Sequence, residues 1–197
     1  EGESIGAFAA ADTKGRWDTE TGSVRAERGG GEWRLAGQRS FVIAGLAADV
    51  LVVPALTENG PSLFLVDSEA DGLTANGMPG LNLTRKLAVL DFNSTPAVLI
   101  GTEGQARPVL DAVRHTFLLA TAAEAAGGID WCLAASVEHA KTREQFGRPI
   151  GSFQAVAHTC VEMLAQLEFS RAAVRYAAVA TTQGADDAPM AVQVAAL

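Results

Sequence analysis

The sequence predicts an α+β protein, with an antiparallel β-barrel or sandwich over residues 1–104 and a truncated up-and-down helical bundle over 105–197. Three observations carry this. Short runs rich in β-branched residues recur between turns containing Gly, Asn and Pro throughout the first half. From Arg107 onward the apolar residues recur at helical spacing, so the period changes from two to 3.6. Gly and Pro cluster within Thr102–Pro108, and the break is expected there.

The strands follow from local signals. Glu32-Trp33-Arg34-Leu35-Ala36-Gly37 alternates polar and apolar residues after a Gly29-Gly30-Gly31 turn, a hairpin pattern. Phe41-Val42-Ile43-Ala44 and Asp49-Val50-Leu51-Val52-Val53 are separate short runs, bounded by Gly45 and Pro54. Ser62–Asp67 follows an Asn59-Gly60-Pro61 turn. Leu87–Phe92 is a further strand, and Ala97–Gly101 a last one.

The helical part opens with a Pro-free stretch from about Val109 to Thr142. It is interrupted only by Gly127-Gly128, a pair that weakens a helix but lets another helix approach closely. A second helix is expected from about Ser152, with Phe153, Val156, Ala157, Cys160, Leu164 and Leu167 on its apolar face. It should stop at Gln183-Gly184. Asp186-Asp187 with Pro189 then starts a third helix, cut off at Leu197.

Composition narrows the class. A chain of 197 residues, 48% hydrophobic and 19% charged, is long enough to bury a core. A net charge of −8 argues against nucleic acid as a partner. No run of 18 apolar residues occurs, so no membrane span is expected. The start at Glu1, without Met or a signal-like segment, is expected of a trimmed piece of a longer protein. Cys132 and Cys160 lack metal-ligand or CxxC spacing and are expected to be reduced core thiols of a cytoplasmic protein. His115, His139 and His158 have no ligand partner at i+4, so no metal site is predicted. Trp17 and Trp131 are expected to pack.

The turn between the first two helices carries the chemistry. Arg143-Glu144-Gln145-Phe146-Gly147-Arg148-Pro149-Ile150 joins a basic, polar loop to a new helix start. Helix N-termini and guanidinium forks both favour phosphate oxygens. Phe146 offers an apolar face, and the Gln145 and Gln154 amides can read polar edges. From these residues alone, a Pro-Gly helix stop with solvated arginines is the simpler account of the stretch.

With Phe153-Gln154 added, this stretch resembles the RxQFGRPIxxFQ signature of acyl-CoA dehydrogenases. Gly31–Arg39 is similar to the family's dGwxlnGxK hairpin, and Ala48–Val53 to the ADxxlv strand after it. The resemblance covers essentially the whole chain, as a middle β domain and the first helices of the C-terminal helical domain. It implies FAD as cofactor, an acyl-CoA substrate, an electron-transfer flavoprotein as electron acceptor, and a homo- or hetero-oligomer. In the family the Arg, Phe and second Gln of the motif bind the FAD of the neighbouring subunit near its pyrophosphate and adenosine. Carried over, these are Arg143, Phe146 and Gln154, with Gln145 beside them.

The match departs from the family at the flavin ring. Where many members have Thr-Glu, the counterpart is Ala11-Asp12; where many have Trp-Ile-Thr, it is Phe41-Val42-Ile43. Phe41 keeps an aromatic surface for the flavin, whereas Ile43 removes a hydroxyl. The implied reaction is α,β-dehydrogenation, with a carboxylate taking the α proton and the flavin the β hydride. Most members carry that base on a late helix beyond Leu197. A minority carry it on the first helix, where Phe117 stands here, with Leu118 in place of a substrate-contacting Arg. The catalytic base is therefore unassigned. The alternative reading is a non-catalytic subunit that completes a partner's FAD site.

Overall fold

The computed structural model describes residues 2–17 and 23–197. It is a mixed α+β structure that divides into two compact units, Glu1–Asp111 and Ala112–Leu197.

The first unit is built on strands β1 (Gly6–Phe8), β2 (Val24–Gly29), β3 (Glu32–Ile43), β4 (Val50–Thr57), β5 (Gly60–Asp67), β6 (Leu73–Met78) and β7 (Leu87–Ile100). β2 and β3 form the predicted hairpin, joined through Gly30-Gly31, both left-handed. β3 pairs with β7, β7 with β5, β5 with β4, and β4 returns to β2, so the pairings close on themselves. Most are antiparallel; β1–β4 and the short β2–β4 contact are parallel. Inside lie Val24, Leu35, Val42, Leu51, Val53, Phe64, Val66, Ala88 and Leu90, with the Trp33 ring edge-on to Phe64 at 5.4 Å.

Several strand limits differ from the sequence expectation, each for a local reason. Glu32–Gly37 and Phe41–Ala44 are parts of one strand, as are Leu87–Phe92 and Ala97–Ile100. Each long strand contains a bulge that breaks the two-residue period. In β7 the unpaired residue is Ser94 (φ +55°), which moves the buried side chains from Ala88, Leu90 and Phe92 to Thr95. In β3 the irregularity falls between Arg39 and Val42, with Phe41 left-handed at φ +56°.

β4 runs through Pro54 instead of stopping there. Within a strand a residue's N–H and C=O face the same edge. The Pro54 carbonyl faces away from β5 and accepts from Nη2 of the buried Arg39, so the missing donor falls on that same edge. Arg39 Nη1 donates to the Ala10 carbonyl as well, at 3.1 Å.

Helix α1 (Arg107–Thr142), a 3₁₀ turn (Ile150–Ser152), α2 (Gln154–Gln183) and α3 (Ala188–Ala195) follow. No long helix occurs among the described residues of 30–100. α1 and α2 run antiparallel. Leu118 and Leu119 pack on the Ala177, Ala180, Ala188, Ala191 and Val192 cluster, and Asp130 pairs with Arg171 at 2.9 Å. α2 ends as predicted: Gly184 is left-handed at φ 64°, Gly184 N–H donates to Thr181 O and Ala185 N–H to Ala180 O.

Other expectations about the helices are corrected. A Cβ at Gly127 or Gly128 meets nothing within 4 Å, so no close helix approach uses them among the described residues. Cys132 and Trp131 are exposed, because these positions fall on the outer face of α1, while Cys160 is half-buried in the groove it lines with Ser136, His139 and Ala140 of α1. By length and composition α1 could cross a membrane. It carries Glu124 and Asp130 and pairs with α2 through Asp130 and Arg171.

Candidate functional site

The turn after α1 is a miniature hairpin. β8 (Glu144–Gln145) pairs with β9 (Arg148–Pro149) in the register Gln145↔Arg148 and Glu144↔Pro149. The ladder extends one step further, since Ile150 N–H donates to Arg143 O at 2.8 Å. Phe146 and Gly147 are therefore the two central residues, at φ 54° and 73°. Two consecutive left-handed residues define a type I′ turn, for which Asn-Gly is the preferred pair. Gly147 suits it. Phe146 does not: a left-handed conformation costs an ordinary L-residue about 1–2 kcal/mol. Yet the Phe146 side chain is 91% exposed, so core packing does not repay the strain. Strained backbone that presents an exposed aromatic is characteristic of binding sites.

The side chains around Phe146 are ordered by one another. Phe153 is half-buried, lying edge-on to Phe146 with ring centres 6.1 Å apart, and the Arg148 guanidinium lies 4.1 Å above its centroid. Phe153 was expected on the apolar face of the second helix. It is instead the N-cap residue (φ −84°, ψ 130°), and its side chain belongs to the turn. No side-chain cap bonds the first backbone donors of α2, which follows directly on this turn. Arg143, Gln145 and Gln154 are all exposed there. Gln145 Nε2 donates to the Glu144 carbonyl at 2.8 Å.

The β-unit positions form a second locus. Phe41 is 42% exposed, and its N–H donates to Met78 Sδ at 3.3 Å. Its ring lies against Gly15, where a Cβ would come within 3.3 Å of it. Ile43 is 41% exposed. Ser40 N–H donates to Ala11 O at 3.2 Å, tying the Ala11-Asp12 segment to β3 beside Phe41. Asp12 is committed to its own loop. Its carboxylate accepts from the Lys14 and Arg16 backbone N–H groups, both at 2.8 Å, and from Arg16 Nε and Nη2 at 3.0 and 2.9 Å. These bonds, the Arg16 N–H first, hold its carboxyl below the usual carboxylate range against the opposing effect of burial. On α1, Phe117 is 41% exposed, while Leu118 is half-buried against small apolar side chains of α2 and α3.

Comparison with known proteins decides the family. A family model described as "Acyl-CoA dehydrogenase, C-terminal domain" matches residues 118–197. An acyl-CoA dehydrogenase of Bacillus subtilis is 32% identical over 191 residues, covering 90% of this chain and 49% of that protein. This chain belongs to the acyl-CoA dehydrogenase family. Butyryl-CoA dehydrogenase from Megasphaera elsdenii superposes with a TM-score of 0.88 at 25% identity, covering 99% of this chain and 54% of that one. PigA, solved with FAD and proline, superposes with a TM-score of 0.90 at 27% identity, covering 98% and 53%.

The chain spans about half the length of most of the curated relatives it matches, and 16% of an acyl-CoA dehydrogenase of Mycobacterium tuberculosis. Within this acyl-CoA dehydrogenase segment, the sequence reading missed two features. One is the Arg148–Phe153 stack, hidden because Phe153 also fits the helical spacing. The other is Met78, whose thioether anchors Phe41 from a strand, β6, that the sequence did not signal.

Proposed function

We propose that this chain is part of an FAD-dependent acyl-CoA dehydrogenase acting on the α,β bond of an acyl-CoA thioester in fatty-acid or related lipid metabolism. The β unit then serves as a closed, mainly antiparallel barrel over residues 1–104, and the helices from 105 open an up-and-down bundle. Arg143, Phe146, Gln145 and Gln154 hold the pyrophosphate and adenosine end of FAD, and Phe41 lies against its ring system. The protein works as an oligomer in which one subunit's turn completes another's cofactor site. It passes electrons to an electron-transfer flavoprotein in the cytoplasm.

One observation carries this reading above all others: an exposed phenylalanine held left-handed between arginines at an uncapped helix start. These residues fit the cofactor. Guanidinium forks and free backbone N–H groups suit its phosphates, an aromatic face suits its rings, and a glutamine amide suits its polar edges. When bound, the flavin supplies the hydride acceptor. The chain's own residues bind and orient it, and Phe41 screens its surroundings from water. No side chain here is assigned as the base: Phe117 and Leu118 cannot take a proton, and Asp12 is already saturated with hydrogen bonds. The matched relatives are named as dehydrogenases, which does not favour the non-catalytic alternative.

The test is anaerobic addition of a panel of acyl-CoA thioesters to the purified, FAD-loaded protein. Bleaching of the flavin absorbance by at least one thioester is expected. A protein that binds FAD and is bleached by none would refute the dehydrogenase reading.

A further inference from the structure

We infer that Arg148 is a second anion-binding arginine of the turn, taking the same diphosphate as Arg143 and held ready for it by the Phe153 ring. The inference rests on the cofactor site proposed above and adds a residue to it.

Register makes the two arginines neighbours across the turn. Directly paired residues of a ladder project to the same side, as do residues two apart along a strand. Gln145 is paired with Arg148, and Arg143 lies two residues before Gln145 and is bonded to Ile150. Gln145 and Arg148 therefore share a face, and Arg143, at the end of α1 with its N–H bonded to His139 O, is the diagonal neighbour of Arg148 across the turn. Such neighbours are about 7–8 Å apart at the backbone, within reach of long side chains. Glu144, the turn's one carboxylate, is paired with Pro149 and projects from the opposite face. The result is a turn with two neighbouring positive charges and its one carboxylate on the face away from Arg148.

The stack makes Arg148 more than a solvated charge. Its guanidinium lies over the Phe153 ring at 4.1 Å, and that ring is fixed edge-on by Phe146. Stacking engages the flat face of a guanidinium and leaves its N–H edge for acceptors in the same plane. A diphosphate carries two anionic groups, and the diagonal pair offers one fork for each. The ligand class is thus an adenosine diphosphate unit, free or within a dinucleotide.

The experiment uses the whole purified protein and two probes, FAD and ADP, with affinities read by flavin fluorescence titration and by ADP competition. Variants are Arg148→Met, Arg148→Lys and Arg143→Ala, with circular dichroism melts on each. Arg148→Met should weaken both probes roughly tenfold, a lost charge-assisted contact at an exposed site, without moving the melting temperature. Arg148→Lys should recover only part, because an ammonium neither stacks nor forks. Combining Arg148→Met with Phe153→Leu should cost less than the sum of the two changes, as expected if the ring holds the guanidinium in place. Additive effects would overturn that positioning role. If Arg143→Ala weakens ADP and Arg148→Met does not, this inference fails while the site proposed at the turn stands. If neither substitution matters, both fail together.

Discussion

Phe146→Asn should make the protein more stable and a poorer flavin binder at once. Phe146 occupies the first left-handed position of a type I′ turn, a conformation that costs an ordinary residue about 1–2 kcal/mol and that Asn tolerates. Its ring is 91% exposed, so little burial is lost on replacement. The edge contact with Phe153 is worth about 0.5 kcal/mol at such an exposed site. The net gain is about 0.5–1.5 kcal/mol, or roughly 1–6 °C in melting temperature for a chain of this size. Losing the aromatic platform should cost about 1–3 kcal/mol of flavin binding, roughly 5- to 150-fold in affinity. Thermal melts of the flavin-free protein and fluorescence titration with FAD read the two effects separately. A lower melting temperature would refute the strain argument, and unchanged affinity would refute the platform argument.

Two further outcomes test the fold. Gly127→Ala should stabilise the protein by about 0.5–1 kcal/mol, because the added methyl meets nothing within 4 Å and helix propensity then decides; a destabilised variant would mean that another surface closes on this face of α1. Asp12→Ala should cost about 2–4 kcal/mol, since two backbone N–H groups lose their acceptor, as chemical denaturation would measure. Asp12 has a lowered folded-state pKa, so its contribution is present above the ordinary carboxylate value of about 4 and is lost as pH falls below it. Wild type should therefore lose more stability than Asp12→Ala on acidification through that range, and parallel pH profiles would refute this.

The change from strand to helix was legible because periodicity is a local property, as were the Gly184 stop and the Gly30-Gly31 hairpin. Strand continuity was not. Ser94 sits in Asn93-Ser94-Thr95-Pro96, which reads as a loop between strands, and at Phe41 the left-handed bulge interrupts the alternation, so two long strands read as four short ones. Pro54 looked like a terminator because its tolerance depends on which edge its nitrogen faces, a fact fixed by Arg39 from another strand. At the site, the residue types of Arg143–Gln154 were legible, and their resemblance to a family gave the roles. The strain at Phe146 and the Arg148–Phe153–Phe146 arrangement were not legible. Both require knowing that residues 144–149 fold back as a ladder, and no two-residue strand announces itself by periodicity.

The central claim is that the turn following α1 binds the dinucleotide, and a flavin fluorescence titration of wild type, Arg143→Ala and Arg175→Ala tests it most directly. Arg175 is an exposed arginine on α2 well away in sequence from the turn, and it controls for a general loss of positive charge. Arg143→Ala should lose about 1.5–3 kcal/mol, roughly 10- to 150-fold in FAD affinity, while Arg175→Ala binds like wild type. Equal affinity in all three proteins, each folded by circular dichroism, would contradict the account and leave the turn as a helix stop with solvated arginines.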